Sequence, residues 1–113
     1  MNIRKNIRVH LSCNLDVYDR VTGLNIGRII DISGNGMMIS GEDQINTNTS
    51  LYITMELPEK INGVEQLHPA CLTHWWKKDT DSGMFFTGLT FKNLESRDKK
   101  IIDSLIKKYG IEE

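Results

Sequence analysis

Five residues in the first third of the chain carry side chains suited to holding an anion and a purine. Arg4 and Arg8 stand four positions apart in "RKNIR", with Lys5 between them and no acidic residue before Asp16. Each guanidinium is a planar fork of donors that matches a phosphate or a guanine edge through two parallel bonds, and it can also stack on a base. Further on, "DISGNG" sets Asp31 and Ser33 at i and i+2, a spacing that puts both on one face of an extended strand end. A carboxylate accepts from the N1 and N2 donors of guanine, and a hydroxyl can give or take one bond beside it. Gly36 permits a tight, left-handed turn and a close approach of backbone to a ligand. Each cluster alone also has an ordinary explanation: a solvated basic tail for the first, an Asx-turn followed by glycines for the second.

The elements that must position these groups are mostly strands. Odd positions from Ile7 to Val17 are apolar and the even ones from Arg8 to Asp16 polar, the period-two pattern of one strand with a buried face. A second strand is expected over about Leu24 to Ile32, with Ile30 and Ile32 facing the core opposite Asp31. "SGNG" then turns the chain into a third strand, "MMIS". "GEDQINTNTS" reads as a polar loop. "LYITMEL" supplies another buried row, ended by Pro58 and "EKING". "LHPACLTHWW" and "GMFFTGLTF" read as a hairpin joined by "KKDTDS". Six short antiparallel strands with regular turns point to a closed sheet, and a small β-barrel removes exposed edges. Near the end the period changes: Ile101, Ile102, Leu105, Ile106 and Tyr109 share one helical face. Ser96 is expected to cap an α-helix over residues 97–109, Lys107 and Lys108 suit its last turn, and Gly110 ends it. Its apolar stripe needs a surface, which the barrel offers.

Length and composition narrow the function. The 113 residues suit one domain and leave little room for a second, so no attached output domain is expected. The formal net charge of −1 disfavours a general nucleic-acid binder, so any bound anion must be small enough for a local patch. No apolar run is long enough to insert in a membrane, and no secretory signal is evident, so a cytoplasmic protein with Cys13 and Cys71 as reduced thiols is expected. His10, His68, His74 and the cysteines lack ligand-type spacing, which speaks against a metal site. No nucleophile-elbow, zincin or phosphate-loop motif is present, so the chain reads as a receptor rather than an enzyme.

Taken together and in this order, "RKNIR" and "DISGNG" on a six-stranded barrel with a C-terminal helix resemble the PilZ domain, whose signature is R-x-x-x-R followed by D/N-x-S-x-x-G. The resemblance covers nearly the whole chain, including the late strand "GLTF" and the charged helix. It implies a bacterial receptor for the second messenger cyclic di-GMP, with no further cofactor. By that match Arg4 and Arg8 hold phosphates and guanine Hoogsteen edges, Asp31 and Ser33 address a guanine, and Gly36 lets the loop close. Residues 1–8 would form a mobile arm that orders over the barrel on binding. Ile3, Lys5, Asn35 and Trp75 are secondary candidate contacts. Family members often carry a further basic residue just before the first arginine, where Ile3 stands here, which favours one bound messenger over a stacked pair.

With no output domain expected, binding would have to alter a surface that an unidentified protein effector reads. The alternative is a PilZ-like interaction barrel that does not bind nucleotide. A binder of single-stranded nucleic acid, stacking bases on Trp75, Trp76 and Phe86, is disfavoured by the charge. For the tryptophan pair, alternation predicts one indole in the core and its neighbour at the rim. Arg28 is expected in a salt bridge at the barrel rim. Partner, pathway and oligomeric state are not written in the sequence.

Overall fold

The structure, a computed structural model, describes residues 7–112. In chain order the elements are β1 (Val9–Leu11), β2 (Asp16–Asp19), β3 (Asn25–Ile32), β4 (Gly36–Gly41), β5 (Ser50–Ile61), β6 (Val64–Leu67), β7 (Ala70–Lys78), β8 (Phe85–Lys92), α1 (Ser96–Tyr109) and β9 (Gly110–Glu112). Every strand pairing is antiparallel, and β2 pairs with both β3 and β5. The sheet therefore closes as a six-stranded barrel in the order β2-β5-β7-β8-β4-β3, with β1, β9 and β6 as additions at its margins.

The buried rows follow from alternation. Val17, Ile29, Ile32, Met37, Ile39, Ile53, Met55 and Leu89 point into the barrel, each at most 6% exposed. Helix α1 adds Ile101, Ile102, Leu105 and Ile106, all essentially buried, and packs against β1, β5 and β9. Burying each such side chain stabilises the fold by about 1.5–3 kcal/mol, so the helix is part of the core rather than an ornament.

Four local expectations need correction. The single strand over residues 7–17 is two strands: β1 pairs with β9 and, at Val9↔Ile32, with β3, whereas β2 pairs with β3 and β5. Val9, Leu15 and Val17 are all buried, so alternation survives while the pairing partner changes. Pro58 does not end its strand. It sits inside β5 where the β5–β6 register slips between Glu56 and Ile61, a stretch in which a missing N–H costs no ladder bond. The true turn is Asn62–Gly63, both at positive φ (51° and 78°), which matches a two-residue hairpin and starts the unforeseen β6. Ser96 is the first helical residue rather than the cap. Glu95 takes the cap position with extended backbone and no side-chain cap bond, because its longer side chain does not close the short ring that a serine or aspartate closes.

Candidate functional site

Arg8 immediately precedes β1. The pairing Val9↔Ile32 sets Arg8 across from Ser33 and His10 across from Asp31 if the antiparallel register is continued. Val9 and Ile32 point inward, so their neighbours Arg8 and Asp31 share the outer face, diagonal to each other. The two half-motifs, 23 residues apart in sequence, meet there: Arg8 Nη1 donates to Asp31 Oδ1 at 2.8 Å. The arginine side chain remains 44% exposed and the aspartate 11%, so one fork edge still faces solvent. His10 Nδ1 lies 2.9 Å from the Ile30 carbonyl oxygen and therefore donates to it.

Asp31 reaches the outer face through a bulge. Ile29 pairs with Ile39 and Asp31 with Met38, leaving Ile30 as an extra residue on β3. Ile30 is consequently half-buried, not a core residue; Ile29 takes the inward place that strict alternation assigned to Ile30. Ser33 and Gly36 then close the β3–β4 hairpin. The Ser33 N–H donates to the Gly36 carbonyl at 2.8 Å, and the Asn35 N–H donates to Ser33 Oγ at 3.2 Å. Ser33 is 3% exposed, and its hydroxyl makes a serine turn with the Asn35 N–H in place of the expected Asx-turn, because the Asp31 carboxylate is engaged by Arg8.

Gly36 is required for a different reason than expected. Its φ is not positive. A Cβ there would fall far inside contact distance of the Leu89 carbonyl oxygen on β8, so the residue is glycine because two strands pass too close for a side chain.

Register extends the site to a residue far along the chain. Asp31 pairs with Met38, Met38 with Gly88, and Gly88 with Trp75, so one row crosses β3, β4, β8 and β7 on the outer face. Three strand spacings of about 4.8 Å make this row roughly 14 Å long. A second bulge, at His74, makes it possible: Thr73 pairs with Leu89 and Trp75 with Gly88. A Cβ on Gly88 would collide with the Trp75 ring, so the indole lies directly over that glycine with its other face outward. Trp75 and Trp76 are 40% and 41% exposed, which corrects the expectation of one buried indole. Trp76 instead packs edge-on against Phe85, with centroids 5.8 Å apart. Thr90, paired with Gly36, is hydrogen-bonded to His74 Nε2 at 2.7 Å and borders the same surface.

Of the residues singled out in the sequence, Arg8, Asp31, Ser33, Asn35, Gly36 and Trp75 thus fall on or beside one face. Arg4, Ile3 and Lys5 lie outside the described residues. Arg28 faces Asp16 and Ser40 across its strand, with no ion pair among the described residues, contrary to the expected rim salt bridge. Met38 and Gly88 were missed, because nothing in "GMMIS" or "FTGL" signals which outer row they join. Cys13 and Cys71 are free thiols, and burial pushes the Cys71 thiol up to about 12. Among the described residues, no three His, Cys, Asp or Glu side chains group as metal ligands. No helix among them is long and apolar enough to cross a membrane.

Comparison with known proteins agrees with this architecture. A family model described as the PilZ domain matches residues 2–108. The chain belongs to the PilZ domain family. Among solved structures it is similar to the Bacillus subtilis inhibitor of motility MotI/DgrA, with a TM-score of 0.72 at 15% identity over 96% of this chain and 52% of that one. It is also similar to the PilZ domain of Escherichia coli YcgR solved with c-di-GMP, with a TM-score of 0.66 at 13% identity over 95% and 94%. A third is the K. pneumonia MrkH–c-di-GMP complex, with a TM-score of 0.69 at 17% identity over 96% and 52%. The chain thus spans about half the length of MotI and MrkH. No curated protein matches it.

Proposed function

We propose that this chain is a cytoplasmic bacterial receptor for cyclic di-GMP that passes the signal to a protein partner, acting by binding and not by catalysis. The observation that carries the reading is the Arg8–Asp31 pair, which joins the two halves of the family signature on one outer face. Complexes of YcgR and MrkH with the same messenger support the ligand class.

On this reading Arg8 turns its exposed fork edge to a phosphate or a guanine Hoogsteen edge, and Arg4 brings the second fork. Asp31 accepts from the guanine Watson–Crick donors. Ser33 and Gly36 hold the hairpin flat against β8, so its backbone comes close to the ligand, with Asn35 at the turn. Trp75 offers a base-sized apolar platform, worth about 1–3 kcal/mol per stacked base. One messenger fills the row between Arg8 and Trp75. Binding must share or break the Arg8–Asp31 pair, and that local change, with Arg4 drawn in, is what the partner reads.

Calorimetric titration with cyclic di-GMP, with GTP and cyclic di-AMP as controls, tests the proposal. Saturable heat with the guanine dinucleotide alone is expected. Absence of heat would leave the interaction-barrel alternative in possession.

A further inference from the structure

A groove of about 550 Å³ lies at the other end of β3 and β4 from the hairpin that carries Ser33 and Gly36. Its apolar lining includes Leu24, Ile45 and Met84, and its carboxylates are Asp16, Glu42 and Asp43 against the single guanidinium of Arg28. Within that lining the balance is three negative charges to one positive. Neither the Glu42 nor the Asp43 side chain makes an ion pair or hydrogen bond among the described residues, and both are exposed.

The turn at the groove's rim is well built, yet it shows aliphatic side chains to water. The Asp19 carboxylate accepts from the N–H groups of Val21 and Thr22, and the Gly23 N–H donates to the Asp19 carbonyl, with Gly23 at φ 76°. Val21 within that turn is 82% exposed, and Leu24, which follows it and lines the groove, is 66% exposed. An exposed leucine lining a concavity whose Glu42 and Asp43 make no ion pair among the described residues marks an interaction surface.

The geometry points to a docking groove for a cationic, leucine-rich segment of a partner protein, whose apolar side chains cover Leu24, Ile45 and Met84 while its lysines or arginines meet Glu42 and Asp43. Charge complementarity selects this occupant over an acidic segment or a free anion. Strand β3 runs directly from Asp31 to the groove residue Arg28, so one element touches both surfaces. The inference does not depend on the nucleotide reading.

The test maps amide chemical shifts of the isotope-labelled protein against three synthetic peptides: one of leucine, lysine and arginine, its counterpart with glutamate for the basic residues, and a lysine-only peptide. The first should bind tightest and shift Leu24, Gly41, Glu42, Asp43 and Met84. The double reversal Glu42→Lys with Asp43→Lys should weaken it about tenfold or more, and Leu24→Ser about fivefold. Arg8→Ala should leave peptide binding intact even if it abolishes nucleotide binding. Equal binding of the acidic peptide, shifts confined to other surfaces, or unchanged affinity in spectra-verified folded variants would overturn the inference. So would peptide-free, concentration-dependent shifts abolished by Leu24→Ser, which would assign the groove to a second copy of this chain.

Discussion

The two ends of β3 treat their polar groups in opposite ways. At the Asp31 end each is engaged: Arg8 with Asp31, Ser33 with the backbone of Asn35 and Gly36, His10 with Ile30. At the Asn25 end, Glu42 and Asp43 stand without side-chain partners among the described residues, beside exposed Leu24. The difference teaches how each surface would recognise something. An engaged site is preorganised but must exchange one partner for another, so its specificity rests on geometry. An unengaged one gains charge pairing only when a partner arrives, and its specificity rests on sign and apolar fit.

The largest effect should come from breaking the engaged end. Arg8→Ala is expected to cost roughly 2–5 kcal/mol of cyclic di-GMP affinity, since a ligand charge loses its mate and Asp31 is left uncompensated. Its cost in unfolding free energy should be smaller, about 1–2 kcal/mol, because Arg8 is 44% exposed and screened by water although Asp31, 11% exposed, loses its mate. Calorimetry and denaturant melts of the same protein separate the two quantities, and near-wild-type affinity would refute the role of Arg8 in binding. Asp31→Ala should also relax the preference for guanine over adenine in the same titrations.

Next in size, Gly36→Val should cost about 3 kcal/mol of stability, because the new side chain meets β8 backbone that cannot step aside. A midpoint unchanged in urea would show that the hairpin yields. At the other end, Thr73 ties down the loop that carries Ile45: its hydroxyl donates to the Asn46 carbonyl at 2.6 Å and accepts the Thr49 N–H at 2.8 Å. Thr73→Val should cost about 1–2 kcal/mol and speed hydrogen exchange at Asn48 and Thr49, while exchange in the Ser33–Gly36 hairpin stays slow.

The smallest effect concerns Cys71 in the barrel wall. Burial raises its thiol from 9.0 to about 12, so the folded state holds a proton that the unfolded chain releases. Its contribution is complete below about pH 9 and is lost as pH rises towards 12, amounting to roughly 1 kcal/mol by about pH 10. Denaturant melts across that range should show the decline, and Cys71→Ala should flatten part of it. An identical slope in both proteins would assign the loss to other groups.

Legibility divided along a physical line. The strand rows through Val17, Ile53 and Met55 and the helical stripe from Ile101 to Ile106 were readable because each is a periodicity within one segment. The residue types of the anion site were readable too, as Arg8, Asp31 and Ser33 carry their chemistry wherever they stand. The expected core place of Ile30 failed at a single inserted residue, Ile30 itself, and that of one tryptophan failed because β7 leaves the buried part of the sheet from His74 onward. A bulge shifts every later side chain to the other face, and period-two counting cannot see it.

The amino-acid sequence alone therefore determined which side chains are buried along most strands, where the helix lies, and which groups could bind an anion and a purine. Tertiary structure decided the rest: that Arg8 reaches Asp31, that Trp75 lies over Gly88 in the same row, that Gly36 is crowded by Leu89, and that Glu42 and Asp43 rim a groove. The reason is that hydrophobic period is a property of neighbours in the chain. Cross-strand register belongs to segments brought together from afar, and it is register that assembles both surfaces.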